Sequence, residues 1–173
     1  RYTGGNNRRL ISSKDINWLF GYWNGGVDKF HFNSWLQGGS KPYDAKWHLH
    51  VATQTGEDVG NTWTDLVQTK TNGDGSSDST WWPGKINFGS YGVNNTQYSK
   101  GEVAEFIAIS DIITTEERQK LESYLAHKWG LSSMLPSSHP YKAGSPIVDP
   151  RALETYTVDL TGLTAGNTYY YRV

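Results

Sequence analysis

Two adjacent indoles, Trp81 and Trp82, followed by Pro83, are the residues of this chain best suited to recognise a ligand. An indole face stacks on the C–H side of a sugar ring, and the nearby Asp78, Ser79 and Lys85 carry groups that hydrogen-bond hydroxyls. In an extended stretch one indole points inward and the other outward, so core packing by both is the competing reading. Just upstream, Asn72, Asp74, Ser76 and Asp78 alternate with Gly and Ser and offer the hard oxygen donors that calcium prefers. Position twelve of a calcium loop begun at Asn72 falls on Pro83, where a bidentate glutamate is required. A hairpin loop of Asx and glycine turns would use the same residues. Asn72, Asp74 and Asp78 are therefore candidate calcium ligands, and calcium is the only cofactor the sequence suggests.

His48 and His50 share one face of an alternating stretch, a geometry able to chelate zinc or copper, but no third ligand is identifiable. A solvated strand face produces the same pattern. Glu102 and Glu105 are the nearest carboxylate pair, and their odd spacing sends them to opposite faces of a strand. They cannot form the ~5 Å pair of a retaining glycosidase. Glu105 has the parity of Val103, Ile107 and Ile109, so it is expected to face inward. There it would be satisfied by N–H groups or a basic side chain, or would ligate a metal. The sequence contains no cysteine, which excludes thiol nucleophiles, and it has no Gly-x-Ser-x-Gly elbow, P-loop or dinucleotide fingerprint. No catalytic residue is assigned.

The elements that must position these residues are short. Eight Trp, eleven Tyr and nineteen Gly in 173 residues describe aromatic strands separated by glycine turns. Sixteen basic and seventeen acidic residues leave a net charge of −1, so no field argues for nucleic acid or an anionic membrane. Mean hydropathy is −0.64, and no apolar run approaches the ~20 residues of a membrane span. Zero cysteine fits a bacterial secreted protein. The chain opens on Arg1 with no charged segment and apolar core behind it, so either a targeting segment and more have been removed or the sequence is an excerpt of a longer polypeptide.

Strands are expected at 9–12, 18–23, 29–33, 46–53, 62–68, 85–89 and 102–110, the last carrying the strongest pattern. Turn signals lie at Asn24-Gly25-Gly26, Gly38-Gly39, Asn72-Gly73 and around Gly89. One helix is expected over 115–129. Thr114 stands three residues before Glu117, the capping-box spacing, and Gly130 suits the left-handed position after the last turn. Leu121, Tyr124, Leu125, Lys128 and Trp129 form its stripe, expected to lie against the sheet. Tyr22, Trp23 and Trp35 are assigned to the core. After Pro136 the proline-rich texture reads as an exit and linker.

Gly101-Glu-Val-Ala-Glu-Phe-Ile-Ala-Ile-Ser110, the Thr114 box, Glu122-Ser-Tyr-Leu-Ala-His-Lys-Trp-Gly-Leu131 and Leu135-Pro-Ser-Ser-His-Pro-Tyr141 together resemble the end of laminin-G-like domains of the concanavalin A-like superfamily. Upstream, Arg8-Arg-Leu-Ile-Ser12 and Asn17-Trp-Leu-Phe-Gly-Tyr-Trp23 are similar to strands from the middle of such a domain. The likeness spans about residues 8–142. Leu160-Thr-Gly-Leu-Thr-Ala-Gly-Asn-Thr-Tyr-Tyr-Tyr-Arg-Val173 resembles the tyrosine-corner region of a fibronectin type III domain. The resemblance implies an all-β, antiparallel jelly-roll sandwich at 1–142, lacking N-terminal strands, with one short surface helix. A 143–153 linker and a partial second sandwich at 154–173 would follow. It also raises the expectation of calcium. Jelly-roll glucanases of this superfamily set their carboxylates at i, i+2 and i+4, which Glu102 and Glu105 do not match.

The expected function is non-catalytic recognition or adhesion in a large secreted or cell-surface bacterial protein. A glycan would bind at Trp81 and Trp82 with Asp78 and Lys85. The alternative is a structural subunit of an extracellular filament, completed by strand exchange between chains. A glycoside hydrolase is the third reading. Expected partners are a glycan or another protein chain, including a second copy, with no nucleic acid and no membrane insertion.

Overall fold

The structure, a computed structural model, describes residues 1–5, 8–32, 35–36, 41–56, 59–73, 83–91 and 97–147, the side chains of 55, 56, 59 and 71–73 excepted. Asp74, Asp78, Trp81 and Trp82 lie outside the described residues, as do the Asn72 side chain, most of the expected linker and all of 154–173.

Among the described residues nine strands and one α-helix follow in order: β1 Tyr2–Gly5, β2 Ile11–Ser13, β3 Trp18–Trp23, β4 Gly26–Phe32, β5 His50–Gly56, β6 Val59–Thr64, β7 Val67–Gly73, β8 Ile86–Phe88, β9 Ser99–Gly101 and α1 Thr115–Lys128. They form a four-stranded sheet β4-β3-β2-β8, a three-stranded sheet β5-β6-β7 and a two-stranded ribbon β1-β9. Every pairing is antiparallel. The chain is an all-β protein with one helix, as expected.

The two larger sheets face each other across an aromatic core. Phe30, Val27 and Leu36 are fully buried, and Trp18, Tyr22, Phe32, Ile11 and Leu10 are nearly so. Each large side chain removed from water contributes about 1.5–3 kcal/mol. His50 of β5 reaches across the interface and meets Phe20, Tyr22 and Phe30 edge-on, with ring centroids 6.1, 5.2 and 6.0 Å away. Gly21 permits this approach. Its φ is +89°, and a Cβ there would stand 3.0 Å from the imidazole.

The β3–β4 turn at Asn24-Gly25 has φ of 48° and 81°, the type I′ geometry that the dipeptide favours. The expected strand 62–68 is instead two strands, β6 and β7, joined at Asp65 and Leu66, whose φ values are 52° and 66°. The two turn residues of this second I′-like hairpin include no glycine. The Asp65 carboxylate supports it by accepting from the Leu49 amide at 3.2 Å, and Leu66 packs against the cluster of Leu49, Ala126 and Leu135.

The helix starts as its sequence dictates. Thr114 Oγ1 accepts from the Glu117 amide at 3.2 Å, and Glu117 Oε2 accepts from the Thr114 amide at 2.7 Å. It ends in a Schellman motif, with Gly130 at φ +70° and the Leu131 amide donating to Ala126 O at 2.7 Å. The buried line differs from the expected stripe. Glu122, Ser123, Tyr124 and Ala126 are buried, and Trp129 is 45 % exposed. The cause is the exit segment, which packs along the helix: Ser123 Oγ donates to Tyr141 O at 2.9 Å, and Tyr141 Oη donates to Glu116 Oε1 at 3.2 Å. Trp35, assigned to the core by its size, is 37 % exposed, with His31 against its ring at 4.9 Å.

The largest correction concerns 102–110. Only Ser99–Gly101 joins a ladder there, and the backbone of 103–111 bonds to no other described backbone group. Val103 and Phe106 pack on the core, whereas Ile107 and Ile109 are exposed. A β-rich sequence prefers an extended chain, but a strand exists only where a neighbour supplies the ladder.

Candidate functional site

The segment 105–113 and helix α1 stand off from the β5–β6 face, leaving a cleft of about 610 Å³ between them. Phe20 and Trp63 line it from the two sheets, Asn61 and Gln68 from neighbouring β6 and β7, and Arg118 from the helix. Leu121 and Leu125, of the apolar stripe of the helix, line this space, and Leu125 also packs with Val51 on the cluster of Leu49, Ala126 and Leu135. Sites of about 300–1,000 Å³ with aromatic walls and a few polar groups are the usual form of a small-ligand pocket.

Local chemistry fixes the walls. The Arg118 guanidinium lies 4.3 Å over the Trp63 ring and pairs with the buried Glu122 carboxylate one turn on. The ion pair within the helix orients the guanidinium, and its cation–π contact ties helix to sheet. Burial pushes the Glu122 carboxyl up despite the opposing pull of Arg118. His139 Nε2 approaches Glu122 Oε2 at 3.6 Å from the exit segment. Gln68 Nε2 donates to Asn61 Oδ1 at 3.3 Å, so the two amides present a joined polar edge.

Glu105 borders the cleft at the helix C-terminus. It accepts from Trp129 Nε1 at 2.8 Å and from Tyr124 Oη at 3.2 Å, with Lys128 Nζ 3.2 Å away. Burial would raise its carboxyl, but these bonds hold it below the usual range. Its expected satisfaction by a basic side chain is met, with an indole and a phenol added. Glu102 pairs instead with Arg1 at 2.9 Å. The two acids therefore serve different partners.

His48 and His50 correct the solvated-face reading. Both imidazoles are held inside, with ring centroids 5.9 Å apart. Burial favours neutral His48, but the carboxylates win: Nδ1 lies 2.9 Å from Asp65 Oδ2 and Nε2 lies 2.8 Å from Asp44 Oδ1, raising its pKa. With both nitrogens engaged by carboxylates, His48 is a clamped cation rather than half of a chelate. His50 goes the other way, pushed down to about 3, first by burial and then by its charged neighbour His48. Among the described residues no group of three or more His, Asp or Glu side chains is arranged to hold a metal ion.

Of the residues singled out by sequence, Lys85 sits exposed at the start of β8, its amide donating to Asp15 Oδ2 at 3.2 Å. Pro83, adjoining Trp82, lines the cleft. Trp81, Trp82, Asp78 and Asp74 lie outside the described residues. Sequence reasoning missed Trp63 and Arg118, which sit on different elements. The Arg118–Glu122 spacing was the one available signal. It also missed Arg9, buried with its guanidinium 4.0 Å over Tyr91 and donating to Trp18 O at 3.0 Å. No helix is long and apolar enough to cross a membrane among the described residues. No family model, curated protein or solved structure matches the chain.

Proposed function

We propose that this chain is a non-catalytic, laminin-G-like recognition module of a secreted or cell-surface protein, binding a glycan in the cleft between its layers. The observation that carries the reading is the lining of that cleft, where Phe20 and Trp63 are set beside the joined amides of Asn61 and Gln68. Aromatic faces meet sugar C–H groups, and amides exchange hydrogen bonds with sugar hydroxyls. Trp81 and Trp82, with Asp78 and Lys85, extend the same chemistry along the chain from Pro83, a lining residue. Calcium at Asn72, Asp74 and Asp78 belongs to the proposal as a loop-ordering ion.

Glycan-array binding by the full chain tests it. Retention of at least one oligosaccharide, lost in Trp82→Ala and weakened in Asn61→Ala, supports the reading. Retention of none refutes it.

The strand-exchange reading rests on the 103–111 backbone, which pairs with no other backbone group among the described residues, with Ile107, Ile109 and Ile112 exposed beside it. An edge of this kind is a template for a strand from another chain. Concentration-dependent polymers, abolished by Ile109→Lys, would favour it over glycan recognition.

A further inference from the structure

Among the described arginines, Arg1 pairs with Glu102 and Arg118 with Glu122, whereas Arg8 and Arg9 form no ion pair with a described carboxylate. Arg9 is buried, 5 % exposed. Its guanidinium bonds to neutral acceptors: Nε donates to Gln97 Oε1 at 2.8 Å, Nη1 to Trp18 O at 3.0 Å and Nη2 to Asn17 Oδ1. These bonds anchor the fork but cancel none of its charge, and a buried charge is ordinarily matched by an opposite one.

Arg8, the preceding residue, is exposed. Its amide donates to Ser99 Oγ at 2.8 Å, which fixes the backbone, and its guanidinium carbon stands 5.1 Å from the centre of the Trp23 ring. The Arg9 guanidinium approaches the same ring at 5.4 Å. Two cations thus share one indole with no described acid to offset them. Their field reaches His31, whose imidazole is pushed down by burial and, in smaller part, by Arg9. A guanidinium stacked on an aromatic ring keeps its N–H edge for a carboxylate, which it meets bidentately. Beside the stack, the Trp35 ring lies 6.3 Å from that of Trp23 and is 37 % exposed. Neither Arg8, Trp23 nor Trp35 lines the cleft. Small ligands take concave sites, whereas Trp and Arg on an open surface are the usual anchors of a protein interface.

We infer that the surface formed by Arg8, Trp23 and Trp35 docks an acidic segment of a partner protein. One carboxylate takes the Arg8 fork, and an apolar neighbour of that acid packs on Trp35. Arg9 adds its charge from behind without touching the partner. The surface is separate from the proposed glycan cleft, so either reading can fail without the other.

The test is fluorescence anisotropy of a fluorescein-labelled hexapeptide of alternating glutamate and leucine, titrated with the full chain at low salt. Saturable binding is expected, and the matching lysine–leucine peptide should not bind. Arg8→Gln should weaken the acidic peptide about tenfold, with Arg8→Lys between it and the wild type, since lysine keeps the charge but loses the planar fork. Trp35→Ala should weaken it as well. Because Arg8 is exposed and joins no described ion pair, its substitution should leave the melting temperature nearly unchanged, which separates lost binding from lost fold. No binding of the acidic peptide, or equal affinity in the wild type and Arg8→Gln, overturns the inference. Displacement of the labelled peptide by trigalacturonate at a lower concentration than by the unlabelled peptide also overturns it, since the surface would then be a site for acidic sugars.

Discussion

Lowering the pH from 8 to 5 should destabilise this protein through His50 alone by about 2 kcal/mol. The imidazole sits between the two sheets against Phe20, Tyr22 and Phe30, and its pKa is pushed down to about 3. In the unfolded chain it titrates near about 6.5. Between those values the unfolded state binds a proton that the folded state refuses, so stability rises with pH across the window and falls as pH drops below 6.5. At pH 5 the unfolded imidazole is about 1.5 units below its pKa, and at about 1.36 kcal/mol per unit the loss is about 2 kcal/mol. For a chain of this size that corresponds to roughly 4–8 °C in melting temperature. The assay compares melts of the wild type and His50→Gln at both pH values. Groups common to the two proteins cancel, and the wild type alone should show the extra loss. Parallel shifts in the two proteins would refute the reasoning, because His50 would then be hydrated rather than enclosed.

Three further outcomes follow from the same geometry. His48, held charged between Asp44 and Asp65, contributes stability below about pH 6.5 that is lost as pH rises through its raised pKa, so between pH 6 and 9 the melting temperature of the wild type should fall relative to that of His48→Gln, the His50 contribution being common to both. Arg118→Ala leaves the buried Glu122 carboxylate facing only His139 and should cost about 3 kcal/mol by denaturant titration at neutral pH, shrinking in acid as Glu122 takes a proton. Thr114→Ala removes the capping hydroxyl and should cost about 1 kcal/mol, while Thr114→Ser retains most of it.

Local chemistry was legible where the sequence alone decides the backbone. Trp18–Trp23 was expected as it stands, the Asn24-Gly25 turn follows from residues that accept positive φ, and Thr114, Glu117 and Gly130 frame the helix within a residue. What failed depended on partners. Residues 102–110 have the alternation of a strand, but no described strand lies alongside to complete a ladder. The Asp65-Leu66 hairpin hid because its stability comes from the Asp65 carboxylate and distant Leu49, not from a glycine. His48 and His50 read as a wet face because the carboxylates and the facing sheet that enclose them lie elsewhere in the chain. The cleft itself could not be read, since Trp63 and Arg118 meet only through the packing of a helix against a sheet.

In the proposed function the ligand enters the space between β5–β6 and the 105–113 segment. Hydrogen–deuterium exchange of the full chain, with and without the oligosaccharide best retained on the array, tests it most directly. Added protection is expected across β5, β6 and residues 103–113, with β1 and β9 unchanged. Protection confined to the ribbon or to the exit segment, leaving 103–113 exchanging at its free rate, would contradict it.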